Sequence, residues 1–141
     1  MSNALIQPSP DLAVILSSLE PVLNDGVYAY AIVPLNSEVP LIDVVGVFRE
    51  SEGTTIIARE HQVLAAGLKV LFRAAWITLK VNSGLQAVGL TAAFSHALGK
   101  VGISCNVVAA ACHDHIFVPV ELAERAMDCL RNLQREANVK C

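Results

Sequence analysis

Ala74-Ala75-Trp76-Ile77-Thr78-Leu79-Lys80-Val81, followed by Asn82-Ser83-Gly84, is the stretch on which the fold of this chain turns. Ile77, Leu79 and Val81 alternate with Trp76, Thr78 and Lys80, the pattern of a half-buried strand. Asn82-Ser83-Gly84 breaks the alternation, and Ser83 is a good helix cap. The spacing then changes: Leu90, Ala93, Phe94, Ala97, Leu98 and Val101 recur at helical intervals, with Leu85, Val88 and Ala92 on a second apolar edge. Gly99 and Gly102 bracket the end of this predicted helix. Ile103 to Ala111 is almost wholly apolar, which predicts a strand covered on both faces. His113 to Val118 is its predicted hairpin partner. Pro119 suits the first position of a last helix, with Glu121 and Glu124 early and Arg131, Arg135 and Lys140 late. Its inward stripe is Leu122, Ala126, Cys129, Leu130, Leu133 and Ala137. From about Arg73 onward the order is therefore β-α-β-β-α.

Upstream the pattern is similar but looser. Residues 1–10 hold two prolines and read as an arm. Asp11 caps a predicted helix carrying Leu12, Ile15, Leu16 and Leu19, ended near Pro21 and Asn24-Asp25-Gly26. Val27 to Val33 alternates as a strand, with Tyr28, Tyr30 and Ile32 on one face. Residues 34–43 form a loop. Val44–Glu50 and Thr54–Ala58 flank Ser51-Glu52-Gly53 as a hairpin. Arg59 to Gly67 predicts a short helix, with Gly67 as its stop. The first half thus reads α-β-β-β-α, and the chain divides into an arm (1–10), a first unit (11–71) and a second unit (72–141).

Composition narrows the function classes. The chain of 141 residues has a net charge of −3, and its ten Lys and Arg are scattered. Nucleic-acid binding needs a phosphate-neutralising patch, and none is present in the sequence. The longest uncharged stretches are broken by Lys100 and by polar residues, so no membrane span is expected. With no basic N-terminal region ahead of an apolar run, a cytoplasmic protein is expected. An apolar fraction of 54% is high for so small a chain and predicts a self-association face, although many of these residues are Ala and Val. Cys105, Cys112, Cys129 and Cys141 match no zinc module and read as free, mostly buried thiols.

Few residues carry a chemical signal. The Asn82-Ser83-Gly84 turn could hold an anion on free backbone N–H groups, or Ser83 could simply cap the helix. Gly89 inside the helix costs about 1 kcal/mol against Ala, which close packing or close ligand approach would explain. Asn106 is the one amide in an apolar strand; it faces either a ligand or solvent at an edge. His113 and His115 share a strand face and could share a metal, yet Asp114 and Cys112 point the other way. A hydrogen-bonded pair that fixes the hairpin or an interface accounts for them better. No GxSxG, P-loop, HExxH or dinucleotide motif occurs, so no enzyme, cofactor or metal is expected.

The turn at Asn82, Gly89-Leu90 and the run Val101-Gly102-Ile103-Ser104-Cys105-Asn106-Val107 resemble the ACT domains of aspartokinases and related small bacterial regulators. His113-Asp114-His115-Ile116-Phe117-Val118-Pro119, with Phe48-Arg49-Glu50 and Glu52-Gly53-Thr54, resembles a family of short proteins made of two ACT-like units. The resemblance implies an α+β fold of two ferredoxin-like units, antiparallel sheets with helices packed on one face. It also implies a homodimer and a regulatory role in which an amino acid or similar small effector binds where units meet. Carried over by position, Asn82, Ser83, Leu85, Gly89, Leu90, Thr91, Asn106 and Val107 would line that site. Ala109-Ala110-Ala111-Cys112 departs from the pattern, where a glycine and aromatics are expected. A structural self-association module that binds no small ligand is the alternative, and a metal-dependent enzyme centred on His113 and His115 a third.

Overall fold

Phe72–Lys80 forms the central strand, β5, and the sheet is organised around it. The structure, a computed structural model, describes residues 9–81 and 89–140. In chain order the elements are α1 (Ser9–Ser17), β1 (Glu20–Leu23), β2 (Tyr28–Pro34), β3 (Val44–Glu50), β4 (Gly53–Arg59), α2 (Glu60–Ala65) and β5. There follow α3 (Leu90–Lys100), β6 (Asn106–Ala109), β7 (Asp114–Pro119), a 3-10 turn at Val120–Leu122, and α4 (Ala123–Lys140).

The strands form one seven-stranded sheet in the order β3-β4-β2-β5-β7-β6, with β1 also paired to β5. All pairs are antiparallel. One edge of β5 is divided: Phe72–Ala74 pairs with β2 and Ile77–Lys80 pairs with β1. Its other edge pairs with β7 from Ala74 to Leu79. The strand is therefore shared, closing the β2-β3-β4 half and opening the α3-β6-β7-α4 half. Each half is ferredoxin-like in outline.

Residues opposite one another across an antiparallel ladder share a face, so the register sorts the side chains. Ala75, Ile77 and Leu79 of β5 and Ile116 and Val118 of β7 lie under α1, α3 and α4, around buried Phe94, Leu98 and Leu130. Ala29, Ala31, Val33, Ile56 and Ala58 lie on the same side with Val63 of α2. All helices of the described residues thus sit on one face of the sheet. The opposite face carries Tyr28, Tyr30, Ile57, Phe72, Ala74, Trp76 and Phe117.

Several elements differ from the sequence reading. Pro21 does not end a helix: α1 stops at Ser17, and Glu20–Leu23 is a strand along β5. Proline is tolerated there because β1 is short and lies at an edge. The strand expected over Ile103–Ala111 is only Asn106–Ala109, an edge strand that is largely exposed rather than covered on both faces. Pro119 ends β7 instead of starting the last helix. Gly89 is not within a helix; its φ of 95° places it in the left-handed region just before Leu90. Val101, assigned to the core stripe of α3, is exposed. Cys112 is exposed and Cys105 and Cys129 are half-buried, so the described thiols are not core residues.

Candidate functional site

The helix-free face concentrates the aromatic residues of the chain. The sequence has one Trp, two Tyr and four Phe, and five of these seven meet on this face. Tyr28 is edge-on to Trp76 at 5.2 Å, Tyr30 edge-on to Phe117 at 5.7 Å, and Trp76 stacks on Phe117 at 6.3 Å and 19°. Tyr28 also lies under the Arg59 guanidinium at 5.2 Å and donates its O–H to the Asp25 carbonyl. Such ring pairs hold one another's orientation beyond what area burial provides. Burial, with Cys105 nearby as a second cause, pushes the Tyr30 hydroxyl up to about 12, so it is a neutral group at any physiological pH.

A cavity of 370 Å³ opens on this face. Asp43, Val44, Val45, Gly46 and Ile57 line it from the first half, and Trp76, Val108, Ala110, His115 and Phe117 from the second. β3 and β6 stand at opposite ends of the sheet order, yet both reach this cavity, so the sheet curls over its helix-free face. The register of β3 shifts between Val44 and Gly46, a bulge of the kind that bends an edge strand. The volume lies within the range of small-molecule sites, about 300–1,000 Å³, and the lining is apolar except for Asp43 and His115.

His115 is tied into the wall. Trp76 Nε1–H donates to its Nδ1 at 3.0 Å, and Thr78 Oγ1 lies 3.2 Å from the same atom. Burial is the main cause that lowers its basicity; His113 adds to it and Asp114 opposes it. Asp114 is shifted upward by burial, against the pull of His115. His113 has a buried Nδ1 with no hydrogen-bond partner. Among the described residues no three His, Cys, Asp or Glu are grouped as metal ligands would be.

The residues singled out in the sequence do not come together. Asn82, Ser83 and Leu85 lie outside the described residues. Leu90 is buried and Val107 half-buried in the core beneath the helices, and Gly89 abuts α1, where an added Cβ would lie 3.1 Å from Leu12. Thr91 is exposed. Asn106 alone is on the aromatic face, opposite Phe117, whose carbonyl accepts its Nδ2–H at 3.3 Å. The sequence reading missed Val44–Gly46, Trp76, Val108 and Phe117 as lining residues. The alternation that puts Trp76 and Thr78 on one face of β5, and Tyr28 and Tyr30 on one face of β2, was the available signal.

ACT-domain profiles match residues 9–75 and residues 72–132. The two matches overlap on Phe72–Ala75, the end of β5 that pairs with β2 along one edge and, from Ala74, with β7 along the other. No curated protein matches. A Vibrio cholerae protein of unknown function, described as a possible transport protein, is 36% identical over 91% of this chain and 99% of its own, with a TM-score of 0.79. An Agrobacterium tumefaciens protein has a TM-score of 0.66 at 18% identity, covering 82% of this chain and 89% of its own. A putative C-terminal regulatory domain of aspartate kinase from Porphyromonas gingivalis has a TM-score of 0.57 at 15% identity, covering 82% and 96%. The last two show the fold alone. ACT domains are typically regulatory, ligand-binding modules. Two profile matches that together span most of the chain, and a relative aligned over nearly its whole length, place this chain in the family of short proteins built from two tandem ACT domains.

Proposed function

We propose that this protein is a regulatory sensor of an amino acid or similar small effector, bound where its two ACT units meet. The observation that carries this reading is the cavity walled by β3 and β4 from one unit and by β5, β6 and β7 from the other. In this reading the units are residues 11–71 and 72–141, with α1 and β1 completing the second. A molecule held between them ties its occupancy to their relative orientation, which gives such a module a way to signal. The protein acts in the cytoplasm as a homodimer and catalyses no reaction. Asn106 lies at the margin of the site. Asn82, Ser83, Leu85, Gly89, Leu90, Thr91 and Val107 are proposed to serve a separate effector site near the start of α3.

A thermal-shift panel of the twenty amino acids, followed by calorimetry, tests the reading. At least one compound is expected to stabilise the protein, and Val108→Trp, which fills the cavity from an exposed edge strand, is expected to abolish the effect. Stabilisation by none of them would refute it. The alternative, a self-association module without a small ligand, is favoured by one feature. Val47 and Phe48 on β3 and Val108 on β6 are apolar and exposed at 50%, 72% and 44% on the two edge strands. It predicts a stable dimer by light scattering whose thermal stability no amino acid changes.

A further inference from the structure

The ring of His115 is held in one tautomer. An indole N–H only donates, so the Nδ1 that Trp76 Nε1–H meets at 3.0 Å presents a lone pair. Asn24 Nδ2–H donates to Thr78 Oγ1 at 3.0 Å and to the Trp76 carbonyl at 3.1 Å. The Thr78 hydroxyl lies 3.2 Å from the same Nδ1 and, since that nitrogen carries no proton opposite the indole N–H, can only donate to it. Two donors on Nδ1 put the proton of the neutral ring on Nε2. Burial disfavours a second proton, and His113 acts in the same direction. The cavity therefore has a neutral N–H donor in an otherwise apolar wall of Ile57, Val108, Phe117 and Trp76.

We propose that the cavity takes an α-amino acid with a branched or aromatic apolar side chain, whose carboxylate accepts the Nε2–H of His115. The proposal rests on the reading of this cavity as the effector site and adds the chemistry of its occupant. A fixed donor without a lone pair recognises an acceptor and offers nothing to an ammonium. A carboxylate is the stronger acceptor, because hydrogen bonds to charged groups exceed neutral ones. The apolar walls accept a hydrocarbon side chain and penalise a charged one, which would be buried without a partner. The ammonium is left to Asp43 at the mouth, whose backbone N–H is fixed by the Gln62 side-chain carbonyl at 2.9 Å. Trp76, Thr78 and Asn24 are positioning residues that hold the imidazole in its donor state.

The test is calorimetry on the full chain with L-leucine, L-valine and L-phenylalanine against L-lysine, L-aspartate, leucinol and 4-methylpentanoate. A second arm uses His115→Phe and His115→Gln, the latter retaining an N–H donor. Nitrogen-15 NMR of the unliganded protein reads the tautomer independently. The apolar amino acids are expected to bind, with leucinol weaker by about tenfold or more. His115→Phe is expected to weaken leucine by a similar factor, His115→Gln to restore most of the loss, and the ring to carry its proton on Nε2. Binding of leucine that is matched by leucinol, or unchanged in His115→Phe, overturns the assignment and leaves the cavity as an effector site. Binding of lysine or aspartate alone, or a proton on Nδ1, overturns it equally. Binding by no compound overturns this proposal and the function it rests on together.

Discussion

Trp76 Nε1–H donates to His115 Nδ1 at 3.0 Å, joining β5 to β7 on the face of the sheet that no helix of the described residues covers. The bond holds the imidazole in its Nε2–H form and opposes its protonation. Trp76→Phe keeps an aromatic ring on Phe117 but removes the donor. Its expected effects are a His115 titration midpoint that moves up toward the ordinary value of 6.5 and a loss of about 1 kcal/mol of stability. Proton NMR of the ring and urea unfolding measure the two. An unchanged midpoint would mean that the indole donor does not control the ring.

The same residue makes stability depend on pH, with a definite sign. Burial, then His113, lowers the affinity of the folded-state ring for a proton below that of the unfolded chain, whose value is 6.5. As pH falls below that value the unfolded chain takes up the proton first. The contribution of His115 is therefore full above it and is lost as pH falls toward the folded midpoint. Asp114 acts in the opposite sense: burial raises its value, so as pH falls the native state binds this proton before the unfolded chain does. Urea midpoints taken from about pH 7.5 to about pH 5 are expected to decline, and His115→Gln to flatten that decline. A wild-type profile already flat through this range would contradict the burial of a neutral ring.

Gly53 closes the β3-β4 hairpin at a φ of 153°, and an added Cβ would lie 2.6 Å from the Val33 backbone oxygen. Backbone in the adjoining strand cannot yield as a flexible side chain could. Gly53→Ala is expected to cost about 2 kcal/mol or more, read as a lowered urea midpoint, while Glu52→Ala at the exposed turn stays near wild type. Equal midpoints for the two variants would show that the hairpin relaxes without penalty.

Much of this fold was legible because period alone separates strand from helix here. The alternation Ile77-Thr78-Leu79 and the helical stripe Leu90, Phe94, Leu98 both lie where expected, and Leu130 is fully buried in α4. The misread segments are those in which tertiary pairing outweighs local signal. Glu20-Pro21-Val22-Leu23 has a proline and only four residues, and becomes a strand because the edge of β5 beyond β2 would otherwise be unpaired. Ile103–Ala111 has the composition of a buried strand, but Asn106–Ala109 lies at the sheet edge and keeps only Val107 in the core. The site was harder to see. Val44 and Val108 are 64 positions apart in the sequence and meet at the cavity only because the sheet curls. Nothing in a single sequence encodes that curvature except the bulge at Val44–Gly46, which looks like an ordinary β-branched run. His113 and His115 stand out in the sequence as a pair, but the hydrogen-bond partners of His115, Trp76 and Thr78, lie on another strand and His113 Nδ1 has none.

α1 and β1 belong to the N-terminal half of the sequence but pack with elements of the C-terminal half. Leu16 and Leu19 share a core with Ile77, Phe94 and Leu130, while β1 pairs with the far end of β5. Leu19 is 3% exposed and Leu64, on α2, is 59% exposed. Truncating a buried Leu costs about 2–5 kcal/mol, since both transfer energy and a cavity are lost, whereas truncating an exposed one stays within about 0.5 kcal/mol. Leu19→Ala is therefore expected to lower the urea midpoint strongly and Leu64→Ala hardly at all. Tryptophan fluorescence is a suitable reporter, because Trp76 lies on β5 directly between β1 and β7: its carbonyl accepts the Asn24 backbone N–H at 2.9 Å just after β1 ends. A Leu19→Ala protein as stable as wild type would mean that α1 and β1 are an appendage. The expected loss would make them the closing edge of the second unit's core.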